Sequence, residues 1–467
     1  MKISNGFKYE INGWKYISIK GGPYERGLAH GKLLKKEIVK CINTMKWNLY
    51  NDYGFDANFF VLISNYIFKD VIKDRFPEFY KELLGIANGS SVNIDILILW
   101  NNYASLPYSM NYVKSNMHKI PQLQEKYGYV LDKLDKFGTT LEGGSKDMCS
   151  AFMAVGDYTH DGKICCAHNS FDDFITGQYF NVVIDIKPTK GNRILYQSAP
   201  GYISSQTDFF VTSNGFIGTE TTFGGFNNYT HGSPVLCRIR NCMQYANSFD
   251  DYINFLKKDN SGDYANAWLI GNTNTNEIMR LELGLEFVNV EKKKNGYFIG
   301  FNAPYDPRIR NLECVNSGFD DIRRHQGARK VRLEQLMEKN KGKINVNIAK
   351  EIIADHYDVY LEKENKCSRT ICSHYDLDAR EYMSQADRPL PYAPRGAVDG
   401  CVVDTTLCKN MSFFGRWGSS CGTPFIVKDF IKKNMQWKRY ESYLHDRYTQ
   451  PWTLFNIGNK MKKYTKT

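Results

Sequence analysis

The 467-residue sequence lacks the patterns that mark several classes of protein. No apolar run approaches the length of a membrane span, and residues 1–8 contain no apolar core of signal-peptide length. The 12 cysteines form neither repeated Cys-x-x-Cys pairs nor a Cys/His spacing typical of a metal site. No motif for binding RNA or DNA is present. We therefore expect no metal, no cofactor and no nucleic-acid partner. We also expect a cytoplasmic protein, or an exported one if a leader has been removed.

Aromatic residues are plentiful, with 31 Tyr and 28 Phe, so the chain can bury a large core and is not disordered. The net charge of +11 is spread along the sequence, which gives a mild preference for anionic surfaces. Contact with a membrane or with acidic lipids is therefore an open alternative, as is the oligomeric state. Cys367 and Cys372 are spaced for a small loop disulfide if the protein is exported.

Residues 149–173 read as a strand, a turn and a second strand. Residues 151–155 are small and apolar, residues 164–167 form a second apolar run, and Asp161-Gly162 between them is a strong hairpin signal. Such a hairpin brings the start of its first strand close to the end of its second. We therefore predict that Cys149 lies close to His168 and Asn169.

A thiol beside an imidazole and an amide provides a nucleophile, an activating group and a donor for an oxyanion. The alternative for Cys149 is a small core residue at the head of a buried strand. The residues alone do not decide between these interpretations.

The stretch resembles the start of the catalytic chain in N-terminal-nucleophile (Ntn) hydrolases. It is most similar to the branch that contains the phospholipase B-like proteins and the acyl-coenzyme A:6-aminopenicillanic acid acyltransferases. In that group the precursor cuts itself before a Cys, which then supplies a thiol nucleophile and an α-amine base. The resemblance implies autocleavage between Met148 and Cys149.

Other segments extend the resemblance along the chain. The pattern Gly-x-x-Glu-Arg-Gly-x-x-His-Gly occurs at residues 22–31, a Glu-Thr-Thr segment lies within residues 218–222, residues 260–270 contain Asn-Ser-Gly followed by Asn two residues before Trp, and the tail matches at residues 396–400, 416–425 and 450–452. We interpret the glycines of residues 22–31 as sites of close helix packing and give His30 a structural role.

The resemblance also implies roles for single residues. Asn266 is the side-chain donor of the oxyanion hole, and Arg329 is the functional arginine near the start of a helix. Thr221 belongs to the segment that faces the nucleophile, and its alternative is an exposed strand edge. Phe171 and Trp268 wall an apolar acyl pocket, or they are simply core residues.

The fold implied is α+β, with four layers in the order helix, sheet, sheet, helix, and with two antiparallel sheets packed face to face. Residues 1–148 form a mostly helical segment that stays bound after cleavage. Residues 149–467 form the catalytic chain, which begins at the nucleophile.

The function implied is hydrolysis or transfer of an acyl group from a linear amide or an ester, through a thioester on Cys149. One alternative is a phospholipase B-like enzyme that deacylates lipids. Another is an unprocessed, non-catalytic binding protein, favoured by Met148 before the cut and by Phe171 where related amidases have Asp. A third is a Cys/His hydrolase with His168 as base, which has an activity limb near pH 6.5, whereas an α-amine base has its limb near pH 8.

Overall fold

The computed structural model describes residues 1–130, 149–226, 228–315, 317–379 and 391–457. Two large β-sheets lie face to face, and helices cover the outer face of each sheet. This arrangement confirms the α+β class and the four layers expected from the sequence.

The first sheet has ten strands in the order β1-β2-β3-β6-β7-β8-β9-β10-β11-β12. These strands are β1 Lys2–Ile3, β2 Gly6–Ile11, β3 Trp14–Gly21, β6 Val182–Pro188, β7 Ile194–Ser198, β8 Phe210–Thr212, β9 Phe216–Thr222, β10 Asn266–Asn272, β11 Glu277–Leu283 and β12 Val288–Lys293. All neighbours are antiparallel except β3 and β6, which are parallel. The sheet is thus antiparallel as expected apart from that one pair, through which the three N-terminal strands join it.

The second sheet contains the strand that begins at Cys149. Its strands are β4 Cys149–Gly156, β5 Gly162–Asp173, β13 Gly296–Gly300, β16 Arg395–Ala397, β17 Asp399–Asp404, β18 Ser412–Trp417 and β19 Thr453–Asn456. Their order is β13-β4-β5-β17-β18-β19, and β16 also pairs with β5. A short hairpin, β14 Tyr357–Asp358 with β15 Lys363–Glu364, stands apart from both sheets.

The two sheets touch where glycines leave room for side chains of the opposite sheet. A Cβ at Gly271 in β10 would meet Met153 and Ile164, and a Cβ at Gly300 in β13 would overlap Thr221 of β9. This close approach brings the heads of β4 and β9 together.

The helices of the described residues are α1 Pro23–Leu33, α2 Lys35–Tyr53, α3 Ala57–Ser64, α4 Asp70–Arg75, α5 Pro77–Ser90, α6 Ile94–Asn101, α7 Leu106–Asn116, α8 Pro121–Tyr127, α9 Phe174–Gly177, α10 Val235–Tyr245, α11 Phe249–Lys257, α12 His325–Lys339, α13 Val346–Ile353, α14 Thr405–Lys409 and α15 Val427–Lys433. Helices α10 and α11 pack on the first sheet, and α12 and α13 pack on the second. Within the described residues no single helix is long and apolar enough to cross a bilayer. Helices α5 and α6 reach that test only as a pair that bends by 119°.

The packing of α1 against α5 explains the glycine-rich motif at residues 22–31. A Cβ at Gly27 or Gly31 would overlap the backbone of α5, and a Cβ at Gly85 would overlap the backbone of α1, so the glycines let these helices lie in contact. His30 is buried, and its Nε2 accepts a hydrogen bond from the Gly201 N–H at 3.0 Å. The predicted packing role of the glycines is thus confirmed, and the contact of His30 is a structural one.

The predicted hairpin turn is confirmed. The Asp161-Gly162 signal lies at the connection between β4 and β5, which pair antiparallel with Cys149 opposite Ser170. At the start of α11, the Ser248 side chain caps the helix by accepting a hydrogen bond from the Asp251 N–H at 3.1 Å.

The disulfide considered for an exported protein is not present. All twelve cysteines lie in the described part of the chain and are free thiols. The Cys367 thiol donates a hydrogen bond to Asp358 Oδ2 at 3.4 Å, whereas Cys372 lies beside His374. The two sulfur atoms therefore have different partners.

Candidate active site

Cys149 is the first residue of β4, and its side chain is only 2% exposed. Met148, the other residue of the expected cleavage site, lies outside the described residues, so cleavage between them stays a prediction. The backbone of Cys149 is anchored on both sides. Its N–H donates to Asn302 Oδ1 at 3.4 Å, and its carbonyl oxygen accepts from the Arg329 guanidinium.

Arg329 lies on α12 and is completely buried. Its guanidinium also donates to Ser150 Oγ at 3.0 Å and to Asn302 Oδ1 at 2.7 Å, and its Nε donates to the His325 carbonyl oxygen at 3.0 Å. The structure therefore places the predicted functional arginine directly on the backbone of Cys149. A fixed cation here holds the head of β4 in place and offsets nearby negative charge.

Asn302 follows β13 and was not found from the sequence. Its backbone has a positive φ of 70°, which is uncommon for a residue other than glycine. Its Nδ2 donates to the Thr222 carbonyl oxygen at 2.7 Å, which fixes the amide so that Oδ1 points at Cys149 N and Arg329. Asn302 thus links the heads of the two sheets at the nucleophile.

Two buried carboxyl groups lie on the thiol side of Cys149. The Sγ of Cys149 lies 3.6 Å from Glu220 Oε1. The Tyr264 hydroxyl lies 3.2 Å from the same oxygen and 3.3 Å from Asp208 Oδ2. Burial, followed by the charge of Asp208, raises the pKa of Glu220 well above its usual value, and burial raises the pKa of Asp208 to about 7. The pair therefore retains a proton at neutral pH.

The same surroundings keep the proton on the Cys149 thiol. Burial is the largest cause and raises its pKa well above the usual value. Glu220 and Asp208 act in the same direction, as does Asp399, and Arg329 offsets only part of the rise. A thiol of this kind becomes a nucleophile only when a base takes its proton.

Asp399 is a further buried carboxyl group close to the nucleophile. It lies on β17, and its Oδ1 accepts the N–H of Ser170, the residue opposite Cys149 in the hairpin. Burial raises the pKa of Asp399 to about 7. From the sequence, Asp399 was recognised only as part of a turn in the tail.

Asn266, the predicted oxyanion donor, is the first residue of β10 and is completely buried. Within the described residues neither its Nδ2 nor its Oδ1 has a hydrogen-bond partner. Its neighbours Ala265 and Ala267 pack in one apolar cluster with Cys149. A buried amide without partners is costly, so both polar atoms of Asn266 are available to a ligand.

His168 and Asn169 follow each other on β5 and have different surroundings. His168 pairs with Ala151 and shares the face of the hairpin with Cys149, as alternation along the strands requires. Burial lowers the pKa of His168 to about 3, so its imidazole is neutral and a weak base.

Asn169 lies on the opposite face of β5 from Cys149. Its Nδ2 donates to the carbonyl oxygens of Ile353, at 2.6 Å, and Ile371, at 3.0 Å. The prediction that Asn169 acts beside the nucleophile is corrected, because the pleat turns its side chain away and both amide protons are engaged elsewhere.

The three residues expected to line a substrate pocket lie in the packed interior. Phe171 is 2% exposed, packs against Cys372 and Ala397, and lies under the Arg329 guanidinium carbon, 5.3 Å from the ring centroid. Trp268 is completely buried in the main core. Thr221 faces Gly300 between the sheets, whereas the neighbouring Glu220 is the residue that reaches the thiol.

Several residues of the site were missed from the sequence: Asp208, Glu220, Tyr264, Asn302 and Asp399. Glu220 and Tyr264 lie inside segments already noted in the sequence, so the resemblance found their position but not their role. Asp208 and Asn302 have positive φ values of 55° and 70° in loops, a feature that no local sequence pattern indicates.

Comparison with known proteins gives the same branch as the motifs. The family model described as phospholipase B matches residues 108–455. A phospholipase B of the snake Crotalus adamanteus is 26% identical over 253 residues, which cover 48% of this chain and 43% of the relative. The human phospholipase B-like 1 is 24% identical over 363 residues, which cover 70% of this chain and 63% of the relative.

A solved structure also aligns with the chain. It is a mutant of a conjugated bile acid hydrolase from Clostridium perfringens, with a TM-score of 0.34 and 11% identity, and it covers 57% of this chain and 89% of its own. The chain spans less than two thirds of the length of both phospholipase B relatives described. Because the family model matches most of its length, the chain belongs to the phospholipase B family.

Proposed function

We propose that the protein is an acyl hydrolase whose nucleophile is the Cys149 thiol, released for catalysis by cleavage between Met148 and Cys149. One observation carries the proposal. The Cys149 thiol lies against the buried carboxyl group of Glu220, and the partners of its backbone nitrogen and carbonyl oxygen are the buried side chains of Asn302 and Arg329. Any buried backbone group needs a partner, but a core cysteine does not need a carboxyl group at its thiol.

Cleavage supplies the base that we propose for turnover. In the intact chain the nitrogen of Cys149 is an amide, and the carboxyl groups around the thiol hold its proton in place. A free α-amine has a pKa near 8 and accepts a proton at neutral pH. Asn302 Oδ1 already receives the N–H at this position, so it would orient the new amine beside the thiol.

The proposed cleavage proceeds by transfer of the Met148 acyl group. The Cys149 sulfur attacks the Met148 carbonyl carbon and its proton passes to a nearby base. The base returns that proton to the Cys149 nitrogen as the C–N bond breaks, which gives a thioester and the α-amine. Water then hydrolyses the thioester and regenerates the thiol. The buried Glu220–Asp208 pair, with Glu220 Oε1 3.6 Å from the sulfur, retains one proton and therefore has one carboxylate that can take the thiol proton.

In turnover, the α-amine takes the thiol proton and the thiolate attacks the acyl carbonyl of the substrate. The oxyanion that forms receives a hydrogen bond from the free amide of Asn266. The α-ammonium then protonates the leaving oxygen or nitrogen as its bond to carbon breaks. Water attacks the thioester, and the products are a carboxylic acid and the free thiol.

The substrate is an acyl group in a linear amide or an ester. Amides fit the chemistry of an N-terminal Cys nucleophile. Deacylation of phospholipids is the second candidate, supported by membership of the phospholipase B family and by the names of the relatives. The net charge of +11 is compatible with an anionic lipid surface.

The test begins with intact mass and N-terminal sequencing of the purified chain, fresh and after incubation at mildly acidic and neutral pH. We expect two chains, the second beginning Cys149-Ser150-Ala151. Processed protein is then assayed with N-acyl amides and with phospholipid vesicles. Cys149→Ala should abolish both cleavage and turnover, whereas Cys41→Ala, at a buried cysteine of α2, should retain both.

The proposal fails if Cys149→Ala hydrolyses either substrate at the wild-type rate. A single uncut chain that turns over substrate with an activity limb well below pH 8 would favour a chain-internal base. A single uncut chain without turnover would favour the non-catalytic alternative.

A further inference from the structure

Four side chains with metal-binding atoms meet on the side of β5 away from Cys149. They are His356, which follows α13, Cys372 and His374 in the loop before residues 375–377, and Cys421 in the turn after β18. One ligand atom from each lies within 4.8 Å of all the others. Three chain segments that are distant in sequence therefore converge on one point.

The measured separations match the edges of a tetrahedral metal site. The Nε2 of His374 lies 3.7 Å from Cys372 Sγ and 3.4 Å from Cys421 Sγ. Zinc binds sulfur at about 2.3 Å and nitrogen at about 2.0–2.1 Å, so neighbouring S and N ligands of a tetrahedron are about 3.6 Å apart. A single thiol–imidazole hydrogen bond has a similar length, so the convergence of all four ligand atoms within 4.8 Å is the observation that indicates a metal.

His356 gives independent support for a ligand. Its side chain is 9% exposed, and within the part of the chain that the structure describes neither ring nitrogen has a hydrogen-bond partner. The His356 and His374 rings lie 5.1 Å apart, centroid to centroid, so both imidazoles face the same small space. A buried imidazole needs a partner, and a metal ion between the rings would satisfy it.

The groups around the four side chains are those that orient and polarise metal ligands. Asp376 Oδ1 lies 3.5 Å from His374 Nδ1, the ring nitrogen that faces away from the cluster, as in a carboxylate–histidine–metal arrangement. The Cys421 sulfur lies 3.3 Å from Ser419 Oγ and 3.0 Å from Thr423 Oγ1, and it accepts the Thr423 N–H at 3.4 Å. Donors of this kind stabilise a thiolate.

Two thiolates and two neutral imidazoles balance the charge of one divalent cation, which a buried site requires.

We propose that His356, Cys372, His374 and Cys421 bind one zinc ion with a structural role. Two thiolates and two imidazoles in a tetrahedron select zinc over magnesium or calcium, which prefer oxygen ligands. Four protein ligands leave no position for water or substrate, which distinguishes a structural site from a catalytic one. No sequence pattern indicated the site, because the ligands follow none of the short zinc spacings.

The site would join the loop of residues 356–374 to the turn at residues 419–423 and hold both against β5. Asn169 of β5 already bonds the residues next to two of the ligands. It donates to the Ile371 carbonyl oxygen at 3.0 Å, and its Oδ1 accepts from Ser420 Oγ. Phe171 packs on Cys372 on one side and lies near Arg329 on the other. A zinc ion here would therefore support β5 on the side opposite Cys149.

The test uses the full-length chain and needs no substrate. The protein is produced with zinc in the medium, exchanged into metal-free buffer, and analysed for metal content by plasma mass spectrometry. We expect one zinc per chain. Replacement of zinc by Co²⁺ should give the intense visible absorption of a tetrahedral site with sulfur ligands.

The matched variants are Cys421→Ser and Cys367→Ser. Cys367 lies in the same loop and is buried, but its thiol bonds Asp358 and is not one of the four ligands. We expect Cys421→Ser to lose most of the bound zinc and Cys367→Ser to retain it. A chelator should lower the melting temperature of the wild type and of Cys367→Ser.

Two results would overturn the proposal. One is wild-type protein without metal and with two fewer titratable thiols than its twelve cysteines, which would identify a Cys372–Cys421 disulfide instead. The other is a folded wild type with all thiols free that takes up neither zinc nor cobalt. Neither result depends on a variant that folds.

Discussion

Cys149 and Cys421 lie on opposite sides of β5. The surroundings of Cys149 favour the protonated thiol, whereas those of Cys421 favour the thiolate. Cys149 faces the carboxyl groups of Glu220 and Asp208, which together with burial keep it protonated. Cys421 faces imidazoles, hydroxyls and an N–H, which favour the thiolate. Side-chain type alone therefore does not assign a role to a cysteine. The groups around each thiol distinguish the two proposed roles. Cys149, the proposed nucleophile, stays protonated until a base takes its proton, whereas Cys421, the proposed zinc ligand, has neighbours that favour the thiolate.

We expect the largest effect on activity from a substitution of Asn266. In the proposed reaction negative charge appears on the substrate oxygen only transiently, so its stabilising donor should have no partner in the resting protein. Among the described residues the Asn266 amide has none. We expect Asn266→Ala to lower kcat about 10²- to 10³-fold with little change in KM. Steady-state kinetics on the processed enzyme measures both.

The control for that variant is Asn272→Ala, at the other end of β10. Its kcat should stay close to that of the wild type. If Asn266→Ala retained wild-type kcat, or raised KM alone, Asn266 would be a binding residue or a core residue and not an oxyanion donor.

The next effect addresses the proton of Cys149 itself. If the carboxyl groups raise its pKa, removal of one of them should lower it. We expect Glu220→Gln to move the pH midpoint of Cys149 alkylation down by about 1 unit, the usual effect of a charge at this distance. The measurement is the rate of iodoacetamide labelling at Cys149 as a function of pH, with the modified peptide identified by mass spectrometry.

Glu338→Gln, on the exposed face of α12, is the control and should leave the midpoint unchanged. An unchanged or higher midpoint in Glu220→Gln would break the comparison. It would show that burial alone sets the Cys149 pKa and that the two thiols differ in exposure more than in charge.

The local part of this architecture could be predicted from the sequence. The Asp161-Gly162 turn determined the β4–β5 hairpin, so the position of Cys149 at a strand head followed. The motifs indicated Asn266 and Arg329, each of which lies near the start of a regular element, and the structure places Arg329 on the backbone of Cys149. The prediction for Asn169 was wrong about the direction of its side chain. Successive residues of a strand point to opposite faces, so a position one residue away from His168 lies on the other face.

The remaining features depend on contacts between distant segments. Asn302 reaches Cys149 across 153 residues, and no pattern near Asn302 indicates it. The Cys and His cluster needs segments around residues 356, 372 and 421 to meet, which only the packing of two loops on β5 achieves. Short spacing rules find zinc sites whose ligands lie on one hairpin or one helix, and therefore miss this one.

A third effect concerns Asp399, whose pKa tests whether burial acts on the whole Cys149 region. Its pKa is raised by burial to about 7, against about 3.9 in an unfolded chain. Between these values the folded state holds a proton that the unfolded state has released. Stability from this group is therefore fully present below about pH 4 and is lost as the pH rises through about 7.

Asp399→Asn removes this titration and keeps an acceptor for the Ser170 N–H. We expect the free energy of unfolding of the wild type to fall between pH 4.5 and pH 7.5 relative to that of the variant. The difference is at most about 4 kcal/mol, at about 1.4 kcal/mol for each pKa unit. Urea unfolding at the two pH values measures it, and the exposed Asp320→Asn should titrate in parallel with the wild type. Parallel curves for the wild type and Asp399→Asn would show that water reaches Asp399. Water would then also reach the Cys149 region, and it would weaken the effect of the neighbouring carboxyl groups on the pKa of the Cys149 thiol.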